Sequence, residues 1–195
     1  MISKKNNVVE WNKVYKKGSH WEKGQSENIL TFTKYLKKGD KILDIGCGSG
    51  RDPAFLAKKG FEVYGIDISK EAIKKAKENF IAENLHFSIS NAENIRFEDE
   101  FFDKIYSAFV LQFTSLKTTA SEIFRVLKKN GVAFLIFLLN TKIVSSGKTT
   151  EYYKKEAICL AYKKFKILEE FKFISKDYQA KEPHIHDIFV LVLKK

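Results

Sequence analysis

The sequence predicts an α/β protein in which a mostly parallel sheet is covered by helices on both faces. Three observations carry that expectation. The apolar run Lys41-Ile42-Leu43 ends in Asp44 and breaks into Gly46, Gly48 and Gly50, and a helical pattern from Pro53 to Lys59 follows at once. A strand feeding a glycine-rich turn and then a helix is how an α/β sheet builds a nucleotide site at the carboxyl ends of its strands. A second strand, Phe61 to Asp67, then ends in an acid about 20 residues beyond the turn, placed to accept both hydroxyls of a ribose. Short apolar strands go on alternating with amphipathic helices to the end of the chain.

The turn itself narrows the ligand. Its spacing is G-x-G-x-G, not the G-x-G-x-x-G of dinucleotide folds, and no Gly-Lys-Ser/Thr follows as in a phosphate-binding loop. Asp44, two residues before the first glycine, would repel a pyrophosphate but welcome a cationic ammonium. With Asp44-Ile45-Gly46-Cys47-Gly48-Ser49-Gly50, the chain resembles the class I S-adenosylmethionine-dependent methyltransferases, whose first motif reads D/E-x-G-x-G-x-G. Among them it is broadly similar to the type 11 and the tellurite- or thiol-methylating groups. The resemblance runs from about Leu43 to the C-terminus. It implies a Rossmann-like, doubly wound, seven-stranded sheet of order 3-2-1-4-5-7-6 with the last strand antiparallel. It also implies S-adenosylmethionine as cofactor and S-adenosylhomocysteine as product.

Size and composition agree with that frame. With 195 residues, of which 44% are hydrophobic, the chain reads as one soluble domain, 1–195. Residues 1–37 form a helical cap and 41–195 the core. No stretch approaches the roughly 20 apolar residues of a membrane span. The N-terminus lacks the apolar segment of a signal peptide. Cys47 and Cys159 are too few for a disulfide framework and point to a reducing cytoplasm. The net charge of +11 invites a nucleic-acid partner. Only Arg51, Arg96 and Arg125 are arginine, however, and the lysines are scattered. Bidentate arginine does most base and phosphate recognition, so nucleic acid is not the favoured partner.

In chain order, Val8, Val9, Trp11, Val14 and Tyr15 follow helical spacing. With His20 and Trp21 they make an aromatic N-terminal segment. It either caps the core edge or forms a lid over cofactor and acceptor. Ser26 to Lys37 reads as a helix. Pro53 sits in the first turn of the helix from Arg51, where its missing N–H does no harm. Ser69 is the N-cap of the next helix, with Ala72, Ile73 and Ala76 behind it, which frees Asp67 for ligand. Leu85–Ile89 is a third strand, Phe101–Ser107 a fourth and Val132–Leu139 a fifth. The helix from Ser121 is expected to run to Gly131. Residues 140–150 read as a loop, Tyr152–Tyr162 as a helix, and Phe165–Phe173 and Ile188–Leu193 as a closing hairpin.

The resemblance assigns Asp44, Gly46, Cys47, Gly48, Gly50, Arg51, Asp67, Ile68, Asn91, Ala92 and Ser107 to the cofactor. Arg51 meets the methionine carboxylate, and Asn91, where the family has Asp, offers a carbonyl to the adenine amino group. Gln112 stands near the place where many relatives carry a histidine. It joins Trp11, Tyr15, His20 and Trp21 as lining of the acceptor pocket. Between the last two strands, His184 and His186 lie in a polar loop that runs from Ala180 to Asp187. No further ligands at metal spacing are visible, so no metal is expected. The two histidines are either plain polar residues of a hairpin loop or, because the fold that the resemblance implies brings this hairpin near the acceptor side, the candidate general bases. The expected activity is methyl transfer to a small molecule by a monomer or homodimer. RNA or protein methylation, and cofactor binding without catalysis, are the alternatives.

Overall fold

The computed structural model describes residues 8–18, 26–177 and 182–195. Eight strands form a single sheet: β1 (Lys41–Ile45), β2 (Glu62–Asp67), β3 (Leu85–Ile89), β4 (Phe102–Ala108), β5 (Leu127–Ile143), β6 (Thr149–Glu151), β7 (Lys166–Asp177) and β8 (His184–Lys194). Their order is β3-β2-β1-β4-β5-β8-β7, with the short β6 pairing β5 beside that path. The first five are parallel, and β8 runs antiparallel to both β5 and β7. Apart from β6, this is the order that the sequence predicts. Strand order reverses between β1 and β4, so a crevice opens beyond their carboxyl ends, where such sheets bind ligands.

Among the described residues six α-helices accompany the sheet: α1 (Val8–Lys17), α2 (Glu27–Phe32), α3 (Arg51–Lys58), α4 (Lys70–Asn79), α5 (Leu116–Val126) and α6 (Lys155–Ala161). The strands are apolar on both faces because both faces are covered. On one face Leu43, Ile45, Ile105, Leu135 and Leu191 pack against α5 and α6. On the other, Ile42, Val63, Phe134 and Val190 meet Ile29 and Phe32 of α2 and Leu56 of α3. Serine hydroxyls cap α2, α4 and α5: Ser26 accepts from Ile29 N, Ser69 from Ala72 N and Ser115 from Thr118 N.

Several boundaries differ from expectation. The α2 region is α-helical only to Phe32 and tightens into a 3-10 turn over Thr33–Tyr35. Helix α5 stops at Val126, not Gly131, because Leu127 already pairs with Phe102 of β4. Residues 128–131 bulge out before Val132 pairs with Lys104, and Asn130 takes φ +64°, a conformation that asparagine tolerates. The expected loop at 140–150 is instead the extension of β5 to Ile143 and its hairpin to β6, turned at Gly147. Thr141, Ile143, Thr149 and Thr150 are β-branched residues that suit this extended pairing. Helix α6 begins at Lys155, not Tyr152. The expected loop around His184 and His186 is also strand: β8 begins at His184 and is paired on both sides.

Buried and edge positions should respond differently to truncation. Leu191, fully buried in β8, is expected to cost about 2–5 kcal/mol when changed to alanine. Ile174→Ala on edge strand β7, where the side chain is 66% exposed, should stay within about 0.5 kcal/mol. Urea unfolding of the two variants measures the contrast.

Candidate active site

The turn after β1 is fastened to the end of β2. The N–H groups of Gly46 and Cys47 donate to Ile66 O at 2.7 and 3.0 Å. Gly48 N donates to Asp67 Oδ2 at 3.0 Å, and Ser69 N to Asp67 Oδ1 at 2.8 Å. Asp67, which the sequence leaves free for ligand, thus already accepts from two backbone donors. One carboxylate ties the glycine turn to the start of α4, and its remaining lone pairs are what it can offer a ligand.

Two further aspartates complete an acidic wall. Asp44 is only 3% exposed at the end of β1, and Asp52 is buried in the first turn of α3. Asp52 accepts from Ser26 N at 2.7 Å and from Ser26 Oγ at 2.6 Å. The Ser26 hydroxyl also lies 3.3 Å from the buried Tyr106 Oη. Arg51 Nε sits 3.9 Å from Asp52 Oδ1. Burial first, then the charges of Asp52 and Asp67, push the Asp44 carboxyl well above the usual range. Burial also raises Asp67, against the opposing hydrogen bonds from Ser69 and Gly48. Such a wall is short of positive charge. The Cys47 thiol, raised by burial and by Asp67, stays protonated and is no nucleophile.

A cavity of about 640 Å³ runs from this turn to the β7–β8 hairpin. Its floor includes Asp44, Gly46, Cys47, Gly48, Arg51, Asp67, Ile68 and Ala92. Helix α1 lies across it. Asn12 Oδ1 accepts from Ser69 Oγ at 2.8 Å, Trp11 meets Phe113 edge-on at 5.5 Å, and Trp11 and Tyr15 line the space. Gly48, at φ +55°, has no room for a side chain, since a Cβ there would stand 2.5 Å from the Tyr15 hydroxyl. At the far end Ser175, Asp177, His184, His186 and Ile188 turn the same way, as alternate residues of paired strands must. The His186 Nδ1 lies 2.9 Å from Thr141 Oγ1, and its ring stacks on that of His184 at 5.6 Å. Burial and the neighbouring His184 lower the His186 pKa, with Asp177 opposing. His184 Nδ1 is buried without a hydrogen-bond partner.

Four of the anticipated residues lie off the cavity lining. Gly50 caps α3 at φ +85°, and a Cβ there would strike Phe87 and Ala76. Asn91 Oδ1 accepts from Glu93 N at 2.9 Å, closing a local turn. Ser107 is buried and donates to Ile45 O at 2.9 Å, joining β4 to β1. Gln112 is buried with both amide atoms unpaired. His20 and Trp21 lie outside the described residues. Sequence reading missed Asn12, Asp52, Ser90, Val110 and Phe113. Asn12 shares the helical face of Trp11 and Tyr15, a signal that was available. Asp52 reaches the site through Ser26, a contact that no local pattern reveals. Among the described residues no group of three metal-ligating side chains gathers, and no helix is long and apolar enough to cross a membrane.

The buried acids make a pH test. Asp44 holds its proton more tightly folded than unfolded. The stability that this proton confers is full below the ordinary carboxylate range and lost as pH rises through the raised folded value. Asp44→Asn should therefore melt higher than the unsubstituted protein at neutral pH, with the gap narrowing toward about pH 4. Thermal melts across pH measure it, and a gap independent of pH would mean that the Asp44 charge carries no such cost.

Residues 43–135 match the family model described as "Methyltransferase domain". A ubiquinone/menaquinone biosynthesis C-methyltransferase of Neisseria gonorrhoeae is 34% identical over 116 residues, covering 56% of this chain and 47% of that protein. The chain spans less than half the length of the curated relatives that it matches first. Among solved structures, a SAM-dependent methyltransferase from Methanosarcina mazei superposes with a TM-score of 0.68 at 23% identity, covering 89% of this chain and 99% of that one. A TehB-like SAM-dependent methyltransferase from Corynebacterium glutamicum gives 0.69 at 21% identity, covering 96% and 98%. The matched segment holds the glycine turn, Asp67 and strands β2 to β4, so this part of the chain is similar to a methyltransferase domain, and the strand order is that of the methyltransferase folds on which the chain superposes.

Proposed function

We propose that the protein transfers the methyl group of S-adenosylmethionine to a small-molecule acceptor, with S-adenosylhomocysteine as product. The observation that carries this reading is the continuity of the cavity. One space joins the acid-lined glycine turn to the histidines of β8, and α1 roofs it. Its 640 Å³ falls within the roughly 300–1,000 Å³ of small-molecule sites.

The residues present fit the cofactor. It carries positive charge at its sulfonium and ammonium, and the wall offers Asp44, Asp52 and Asp67. The glycines leave the backbone bare for close approach. Asp67 retains acceptor capacity for ribose hydroxyls, and Arg51 supplies a cation for a carboxylate. Bound there, the cofactor supplies a methyl carbon already activated by the adjacent sulfonium charge.

The protein's own work is orientation, exclusion of water and management of one proton. Trp11, Tyr15 and Phe113 close the space with flat rings. His186, held below its ordinary pKa, is neutral at physiological pH and able to accept a proton from an acceptor's O–H, S–H or N–H. Thr141 fixes the ring through Nδ1. Gly50, Ser107 and Gln112 act behind the site, by packing. Residues 1–37 serve as the cap of a single domain, and the free cysteines suit a reducing, cytoplasmic setting.

A second reading, methylation of RNA or a protein, draws on the net charge of +11. Salt-dependent RNA binding would favour it, and none at low salt would remove it. The roofed cavity weighs toward the small molecule. The ubiquinone/menaquinone enzyme among the relatives is named for biosynthesis of a small molecule.

Calorimetric titration with S-adenosylmethionine and S-adenosylhomocysteine tests the cofactor. Micromolar binding is expected, weakened roughly 10- to 150-fold in Asp67→Ala through lost charge-assisted hydrogen bonds. No binding by the unsubstituted protein would remove the methyltransferase reading. Once a protonated acceptor is found, His186→Ala should leave cofactor affinity unchanged while turnover falls about 10²- to 10⁴-fold. Turnover unaffected by that change would exclude His186 as base. Cofactor binding with no turnover on any acceptor would leave a binding protein.

A further inference from the structure

Edge strand β7 is the least protected part of the sheet. It runs for 12 residues, and its outer side has no partner strand among the described residues. Every residue from Lys166 to Ile174 is exposed, and helix α6 reaches the strand only through Lys155 and Cys159 at Glu170 among the contacts of the described residues. Ile174 is 66% exposed, and Phe171 and Phe173 stack on each other at 6.2 Å while remaining about two-fifths exposed. A long edge carrying apolar side chains is a template for another strand. We propose that this edge pairs with β7 of a second copy, making a homodimer with one continuous sheet.

Charge complementarity selects the second copy and its register. A two-fold axis normal to the sheet pairs a strand with itself antiparallel about one residue. With Phe171 on the axis, Glu170 stands opposite Lys172 of the other copy, and the symmetry repeats this contact. The next pair outward is Glu169 with Phe173, and the bulge at Leu168 ends the regular pairing beyond it. Moving the axis by one residue brings Glu170 against Glu170 or Lys172 against Lys172, like charges directly opposite each other. In the first register opposite charges flank an aromatic pair. Glu170 also holds Lys155 of its own chain, so it would bridge two lysines.

The edge also carries devices that limit its growth. Lys166, Lys172 and Lys176 discourage indiscriminate pairing, and the strand bulges between Ile167 and Glu169. The bulge confines regular pairing to the stretch around Phe171. A pairing centred on a two-fold closes on itself and uses up both edges, so it ends at two copies. The dimer does not depend on the cofactor or the acceptor, and its failure would leave the reading of the active site untouched.

Sedimentation equilibrium of the full chain across a concentration series, with Lys172→Glu, Glu170→Lys, the double exchange and Phe171→Lys, tests the proposal. The unsubstituted chain should be dimeric, each charge reversal should raise the dimer dissociation constant about tenfold, and the double exchange should restore it. Phe171→Lys should be monomeric, and circular dichroism of each variant reports that it is folded. A monomeric unsubstituted chain overturns the proposal. So does a dimer indifferent to all four changes, or one lost in the single reversals and not recovered in the double.

Discussion

The structure hangs on the way the glycine turn after β1 is tied to its neighbouring strand. Three successive backbone donors of the turn, at Gly46, Cys47 and Gly48, find their acceptors on Ile66 and Asp67 at the end of β2. The turn cannot satisfy itself, because its residues follow neither helix nor strand. It is correct only when β1 and β2 lie parallel in the observed register, with Asp44 opposite Gly65. Once it is correct, Gly50 starts α3, Asp67 and Ser69 start α4, and Tyr15 and Asn12 of α1 have a surface on which to dock. Sheet pairing, helix starts and roof follow from one set of hydrogen bonds.

That arrangement places carboxylates where the protein alone gains little from them. Asp44 and Asp67 are buried and raised, and Asp52 adds its charge beside them. Some of the cost is offset by structure: Asp67 accepts two backbone hydrogen bonds and Asp52 accepts two from Ser26. Asp44 has the least structural return, and a neutral side chain would serve the core better. Sites that tolerate a local penalty of this kind are where function is found. A cation bound against the wall would reverse the sign of the penalty, which is the physical sense in which the wall and the proposed cofactor belong together.

How much of this was legible in the sequence depends on the range of the contacts. The strand–turn–helix unit, the Ser69 cap and the acid at the end of β2 are local patterns, and they stand as read. Strand β5 was read eight residues long and runs from Leu127 to Ile143, because its ends are decided by Phe102 on one side and by β6 and β8 on the other. His184 and His186 were read as loop residues because polar side chains interrupt the apolar pattern. They are polar because they face the cavity, within a strand paired on both edges. Ser69 caps α4 as read, and Asp67 also accepts from Ser69 N, since a cap and an acid can share one helix start. Gln112 lies one residue from Phe113, which reaches the cavity. A tight turn of the chain points neighbouring side chains apart, and sequence position alone cannot tell them apart.

Helix α1 is where stability and access meet. An isolated helix of ten residues is marginal in water, since helices shorter than about 12–15 residues seldom hold alone. Its order is therefore borrowed from the site: from Asn12 on Ser69, from Trp11 on Phe113 and from Tyr15 over Gly48. Valines 8 and 9 remain exposed, so burial adds little at its start. Helix α1 contributes no residue to the two large core clusters, so lifting it can open the cavity while those clusters stay intact. Local openings of this size lie at the low end of a protein's stability range. A ligand that touches Trp11 or Tyr15 from below would add to the contacts that keep the helix folded. Closure would then be strongest when the cavity is filled, which is the order of events that a water-excluding transfer site requires.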